Sequence, residues 1–169
     1  FEDGLVSIEK EDVDVIFISD LASPAIIRKA LELADAGLLV MTVMDVSSSE
    51  KALEKLISSF SPHEQRYINE LLSDVLRGVV IQYLLPRIGG GLVPLHEVLI
   101  NTSSVKSFIL SNKITQLTQV IASSRTEGMM SFEHELANLV KSRIVSLEHG
   151  REVARNSEVF ESLVKGIFS

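Results

Sequence analysis

Two apolar runs, VIFI and LLVMTV, flank a segment with helical spacing, and this β-α-β pattern between Asp14 and Val43 is what most constrains the fold. After Asp14 the residues up to Ile18 are β-branched or aromatic with little alternation, the pattern of a strand covered on both faces in a parallel sheet. Ser23-Pro24 reads as an N-cap followed by proline at the first helical position. Ile26, Ile27, Ala30, Leu31, Leu33 and Ala34 keep helical spacing, and Gly37 is the expected stop. Leu38 to Val43 is then a second strand. Strands joined in this way are parallel, with a right-handed crossover. Ligands bind in open α/β sheets beyond the carboxyl ends of such strands. Asp20 and Asp45 both fall at those ends and are expected to be neighbours. Each admits two readings, a working carboxylate or an acid that merely ends a strand.

Downstream, Ser47-Ser48-Ser49-Glu50 can cap a helix, KALEKLISSF, which stops before Ser61-Pro62. HEQRYINELLSDVLRG follows as an amphipathic helix with Tyr67, Ile68, Leu71, Leu72, Val75 and Leu76 on its apolar face. The segment GVVIQYLLPRIGGGLVPLHEVLI reads as an antiparallel hairpin turning at Gly89-Gly90-Gly91. After Thr102 only helical patterns remain: SVKSFILSN, ITQLTQVIASS, SFEHELANLVKSR, LEHGREVARN and EVFESLVKGI.

Composition removes several classes of function. The net charge of −7 over 169 residues argues against nucleic acid, whose phosphates need a basic face, and against anionic membrane surfaces. With no cysteine there is neither a disulfide framework nor a thiolate metal site, and a reducing cytoplasm is the default. No apolar run approaches the roughly 18 residues of a membrane span. The four histidines form no ligand set: His96-Glu97 lacks the second histidine of H-E-x-x-H, because residue 100 is isoleucine. No metal site is expected from the protein alone. The opening Phe1-Glu2-Asp3-Gly4 has no initiator methionine, which reads as a fragment.

Taken in order, DVDVIFISD, AIIRKALELADAGLLV, FSPHEQRYINELLSDVLRGVVIQYLLPR, the GGG-x-VP-x-HE-x-LI hairpin, TSSVKSFILSNK and EGMMSFEHELANLVKSRIVS resemble the C-terminal half of the PilT-type pilus retraction ATPases, of the type II/IV secretion ATPase family. The resemblance covers essentially the whole chain. It implies an α/β fold: the C-terminal part of a RecA-like P-loop ATPase core, with parallel strands plus an antiparallel hairpin, over 1–101, followed by a small all-helical subdomain over 102–169. It also implies ATP and Mg²⁺ as cofactors. The expected partners are copies of the chain in a ring, usually a hexamer, or a mixed ring with an active ATPase, together with a pilus or secretion platform at the inner membrane. The expected location is the cytoplasm. No G-x-x-x-x-G-K-[ST] occurs in the 169 residues, so the resemblance puts the phosphate-cradling loop upstream of Phe1.

Asp20 matches the Walker B glutamate, which in the family orients water toward the γ-phosphate. It keeps the charge but is one methylene shorter, and Ser19 stands in place of the preceding glycine. The family's histidine box corresponds to residues 37–46, where Leu38 and Asp45 replace both histidines. Leucine can neither donate a hydrogen bond nor take up a proton. Asp45 is either a magnesium ligand or an exposed loop acid. Asn69 and Ala22 stand where the family carries arginines aimed at nucleotide. These losses point to a weakened or inactive subunit. SVKSFILSNK matches a motif associated with retraction, keeping Lys106, Phe108, Ile109 and Lys113 as candidate interaction residues. The alternative reading is an ordinary amphipathic helix.

Overall fold

A computed structural model of the chain describes residues 13–166; the opening Phe1–Gly4 lies outside them. These residues form two compact units. The first comprises the chain up to Arg77 together with Asn101–Leu117, and the second Gly78–Ile100 with the chain from Thr118 onward.

In the first unit β1 (Val15–Ile18) pairs in parallel with β2 (Leu39–Thr42), Val15 opposite Leu39 and Ile18 opposite Thr42. The crossover is α1 (Pro24–Asp35). Its start and stop are those expected: the Ser23 side chain accepts from the Ile26 amide at 3.3 Å, and Pro24 opens the first turn. At its end Gly37 takes φ +107°, while the Leu38 and Gly37 amides bond to the Leu33 and Ala34 carbonyls, each at 3.1 Å. These two bonds are those of a Schellman closure, which satisfies orphan carbonyls of the last turn. Ile16 and Ile18 pack with Ile26, Ala30 and Leu33.

Among the described residues the strands are not covered on both faces. Val15, Phe17, Leu39, Met41 and Val43 are 47–61% exposed, because α1 packs against only the Ile16 and Ile18 side. The continuous apolar run therefore shows as an alternating burial pattern.

Two helices follow, α2 (Ser49–Ser58), capped by Ser48, and α3 (Pro62–Val75). α3 opens with Pro62 and a reciprocal contact in which the Ser61 amide donates to Glu64 Oε2 at 3.2 Å. The expected apolar face is rotated: Tyr67 is 49% exposed beside Arg28, and Asn69 and Ser73 are buried with Ile68, Leu71 and Leu72. α4 (Ser103–Leu110) and a 3₁₀ turn (Ile114–Gln116) complete the unit. Packing thus divides the chain differently from a cut after residue 101. The Asn101 side chain donates to the carbonyls of Ser73 and Leu76, both at 2.9 Å, closing the end of α3 and tying α4 to it.

In the second unit β3 (Gly78–Pro86) and β4 (Leu92–Ile100) form the expected hairpin, paired from Gly78 opposite Ile100 to Pro86 opposite Leu92. Gly89, Gly90 and Gly91 all take positive φ, the region only glycine enters without strain. The hairpin packs one face, Leu85 and Leu95, into a core with Phe132, Leu136 and Phe160. Its other face leaves Val80, Leu84 and Leu92 56–66% exposed. The helices are α5 (Leu117–Ser123), whose first residue is the last of the first unit, α6 (Phe132–Lys141), α7 (Leu147–Val153) and α8 (Ser157–Lys165), with a 3₁₀ turn at Arg125–Glu127. Arg155, just beyond α7, lies 3.9 Å over the Phe132 ring and donates to Glu97 Oε2 at 2.5 Å. The hairpin and the helices from Thr118 onward thereby share one core.

Candidate functional site

The carboxyl ends of β1 and β2 are held level. Thr42 Oγ1 donates to the Ile18 carbonyl at 2.9 Å, so the last residues of both strands are tied by a side-chain bond besides the ladder. Two residues beyond Ile18 comes Asp20, and three beyond Thr42 comes Asp45. Both line one pocket of about 460 Å³, with Ser19, Leu21, Val43 and Met44. The spacing argument that made these acids neighbours is realised here, because parallel strands emerge from the same edge of the sheet. Both carboxylates are exposed, so each is hydrated and available to a ligand.

Lys55, on the last turns of α2, lines the same pocket. Sequence reading missed it. A lysine near a helix C-terminus ordinarily signals only favourable interaction with the helix dipole. No local signal in the sequence singles it out; in the structure Ser59 Oγ donates to the Lys55 carbonyl at 2.7 Å and closes that turn.

The remaining expected site residues fall elsewhere. Leu38 precedes β2, at the opposite end of the strand from Asp45, and packs against the core beneath α1. The two histidine-box positions are therefore not brought together. Asn69 is buried in α3 at 5% exposure, with no partner for its Oδ1 among the described residues, and does not line the pocket. Ala22 is exposed in the loop before α1. Of the candidate interaction residues, Ile109 is fully buried and belongs to the core rather than to a docking surface. Lys106 is ion-paired with Asp74 across to α3, Phe108 is half-buried, and Lys113 is exposed beside Asn112, whose φ is +54°.

Among the described residues no three histidine or carboxylate groups converge on a metal site, and no helix is long and apolar enough to cross a membrane. Two carboxylates alone suit a hard cation that keeps its waters and takes phosphate oxygens as further ligands. Magnesium carried by a nucleotide is such an ion.

No family model matches the chain. Curated proteins do. It is 31% identical over 160 residues to the type IV pilus retraction ATPase PilT of Pseudomonas aeruginosa, covering 95% of the chain and 46% of that protein. It is 33% identical over 159 residues to a twitching motility protein of Neisseria gonorrhoeae, covering 94% of the chain and 42% of the relative. A crystal structure of the pilus retraction motor PilT with bound ADP superposes with a TM-score of 0.84 at 28% identity, over 95% of the chain and 45% of the motor. The chain thus spans less than half the length of the relatives it matches, and its α/β fold is that of the corresponding part of the motor.

Proposed function

By sequence and by fold the chain is a relative of the PilT-type pilus retraction ATPases of the secretion ATPase family, and from that kinship we propose that it is part of a ring-forming motor coupling ATP hydrolysis to pilus disassembly. The observation that carries this reading is the meeting of Asp20 and Asp45 in one pocket at the carboxyl ends of β1 and β2.

Asp20 is the residue that orients the attacking water. Its carboxylate accepts a proton-bearing hydrogen bond from that water and holds it in line with the terminal phosphate. Asp45, on the neighbouring loop, supplies a second set of carboxylate oxygens where the relatives carry a histidine. Its carboxylate would hold a hydrated magnesium ion carried by a bound nucleotide. Magnesium, when bound, neutralises charge developing on the phosphate oxygens. The Thr42 to Ile18 bond keeps the two acid-bearing loops in register. A shift on the order of 1 Å in such an arrangement can lower a rate about 100-fold. The shorter reach of Asp20 makes this a slow motor compared with its glutamate-bearing relatives. The working assembly is a ring of copies, hexameric as in the family, in the cytoplasm against an inner-membrane pilus platform.

A second reading is supported by Leu38 and Asn69. The first packs into the core, and the second is buried, so neither brings a proton donor or a cation to the pocket. In that reading the chain is a degenerate paralogue that binds nucleotide without hydrolysis, or binds none, and acts as an interaction subunit in a mixed ring with an active ATPase.

Magnesium-ATP binding and phosphate release by the intact protein, beside an Asp20→Asn variant, separate the two. Turnover abolished by the substitution establishes the motor. Absence of turnover in both folded proteins assigns the regulatory role.

A further inference from the structure

We infer that Lys55 is a specificity-determining residue that contacts the terminal phosphate of a nucleoside triphosphate and makes the pocket prefer triphosphate to diphosphate. The inference rests on the nucleotide-binding reading above and adds a residue that the resemblance did not assign.

The charge of the pocket motivates it. Among the lining residues, Asp20 and Asp45 are anionic and Lys55 is the single cation. Two carboxylates repel a triphosphate, and a carried magnesium ion offsets part of that charge. An ammonium already present on a residue lining the same cavity offsets more of it, without having to be recruited. Lys55 is also available. Its ammonium group makes no ion pair with another described residue, although Asp20 and Asp45 line the same space. Lys106, by contrast, is held by Asp74.

Its main chain is fixed while its side chain is free. α2 begins at a Ser48 cap, where Ser48 Oγ accepts from the Lys51 amide at 3.1 Å. It ends with Ser59 Oγ bonded to the Lys55 carbonyl, and Ala52, Leu53 and Ile57 anchor its buried side. A lysine on a fixed turn with a flexible four-carbon stem can follow a phosphate as a point charge. The water-orienting role of Asp20 places the terminal phosphate, rather than the sugar or base, nearest this group of side chains. An ammonium contacting the terminal phosphate has no equivalent contact in the diphosphate. The result is selectivity, not uniform affinity.

The test is equilibrium binding of magnesium-ATP and magnesium-ADP to the intact protein and to its Lys55→Met and Lys55→Arg variants. Lys55→Met is expected to weaken ATP binding on the order of tenfold while leaving ADP within about twofold. Lys55→Arg is expected to keep most of the preference, since the charge remains. Equal loss for both nucleotides, or no loss for either, overturns the role of Lys55 and leaves the nucleotide-binding reading standing. Failure of the unsubstituted protein to bind either nucleotide overturns that reading and this inference together. Thermal unfolding of each variant in the absence of nucleotide separates a binding defect from a folding defect, because an exposed lysine on a helix surface is expected to shift stability little.

Discussion

The hydroxyl of Thr42 donates to the main-chain carbonyl of Ile18 at 2.9 Å, joining the two strand ends from which Asp20 and Asp45 project. Thr42→Val keeps the β-branched shape and removes only this bond. The expected loss is about 1 kcal/mol in urea unfolding. Phosphate release should fall by more than that loss explains, since the register of the two loops is relaxed. A variant with unchanged turnover would separate the bond from the chemistry.

Asp20→Glu adds the methylene by which Asp20 falls short of the glutamate that the family resemblance puts at this position. If reach limits the reaction, phosphate release should rise about tenfold or more with little change in ATP affinity, as read by single-turnover kinetics. A fall in rate would mean that the loop of this chain has adjusted to the shorter acid.

Arg155→Met removes a charged partner of Glu97, which is 5% exposed, and the guanidinium that covers the Phe132 ring. Breaking a buried pair from one side is costly, here about 3 kcal/mol by urea denaturation. Replacing both members, Arg155→Met with Glu97→Leu, should recover most of the loss, because the buried carboxylate is gone as well. A double variant as unstable as the single one would place the energy in the ring contact instead.

His134 has its pKa lowered from 6.5, first by burial and then by Arg125 and Lys141, against the opposing pull of Glu133. Ser131 Oγ lies 2.7 Å from its Nδ1. The unfolded chain therefore binds a proton at higher pH than the folded one. The stability contribution is complete above about pH 6.5 and is lost as pH falls from there toward the lowered value. Melting temperatures between pH 7.5 and 5.5 should decline, with a shallower slope in His134→Gln. Identical slopes would exclude this histidine as the titrating group.

Much of the site was legible because its geometry follows from local rules. Asp20 and Asp45 end consecutive parallel strands, and such ends share an edge whatever the rest of the molecule does. Lys55 was not legible, since nothing in KALEKLISSF marks which helix face turns toward those loops. The Leu38 position was misleading for a related reason: residues 37–46 are continuous in sequence, but a strand carries its two ends apart.

From the sequence alone came the order of elements, the Ser23 cap, a cap within Ser47-Ser48-Ser49-Glu50, the Gly37 stop and the Gly89-Gly90-Gly91 turn. Each is decided by the free energy of a few adjacent residues. Tertiary structure decided which apolar side chains stay out of the core, with Phe17 exposed and Ile16 buried. It also decided that Asn69 and Ser73 displace Tyr67 from the buried face of α3, and that Glu97 finds Arg155. These outcomes depend on surfaces brought together from distant parts of the chain, whose burial and pairing energies no local window contains.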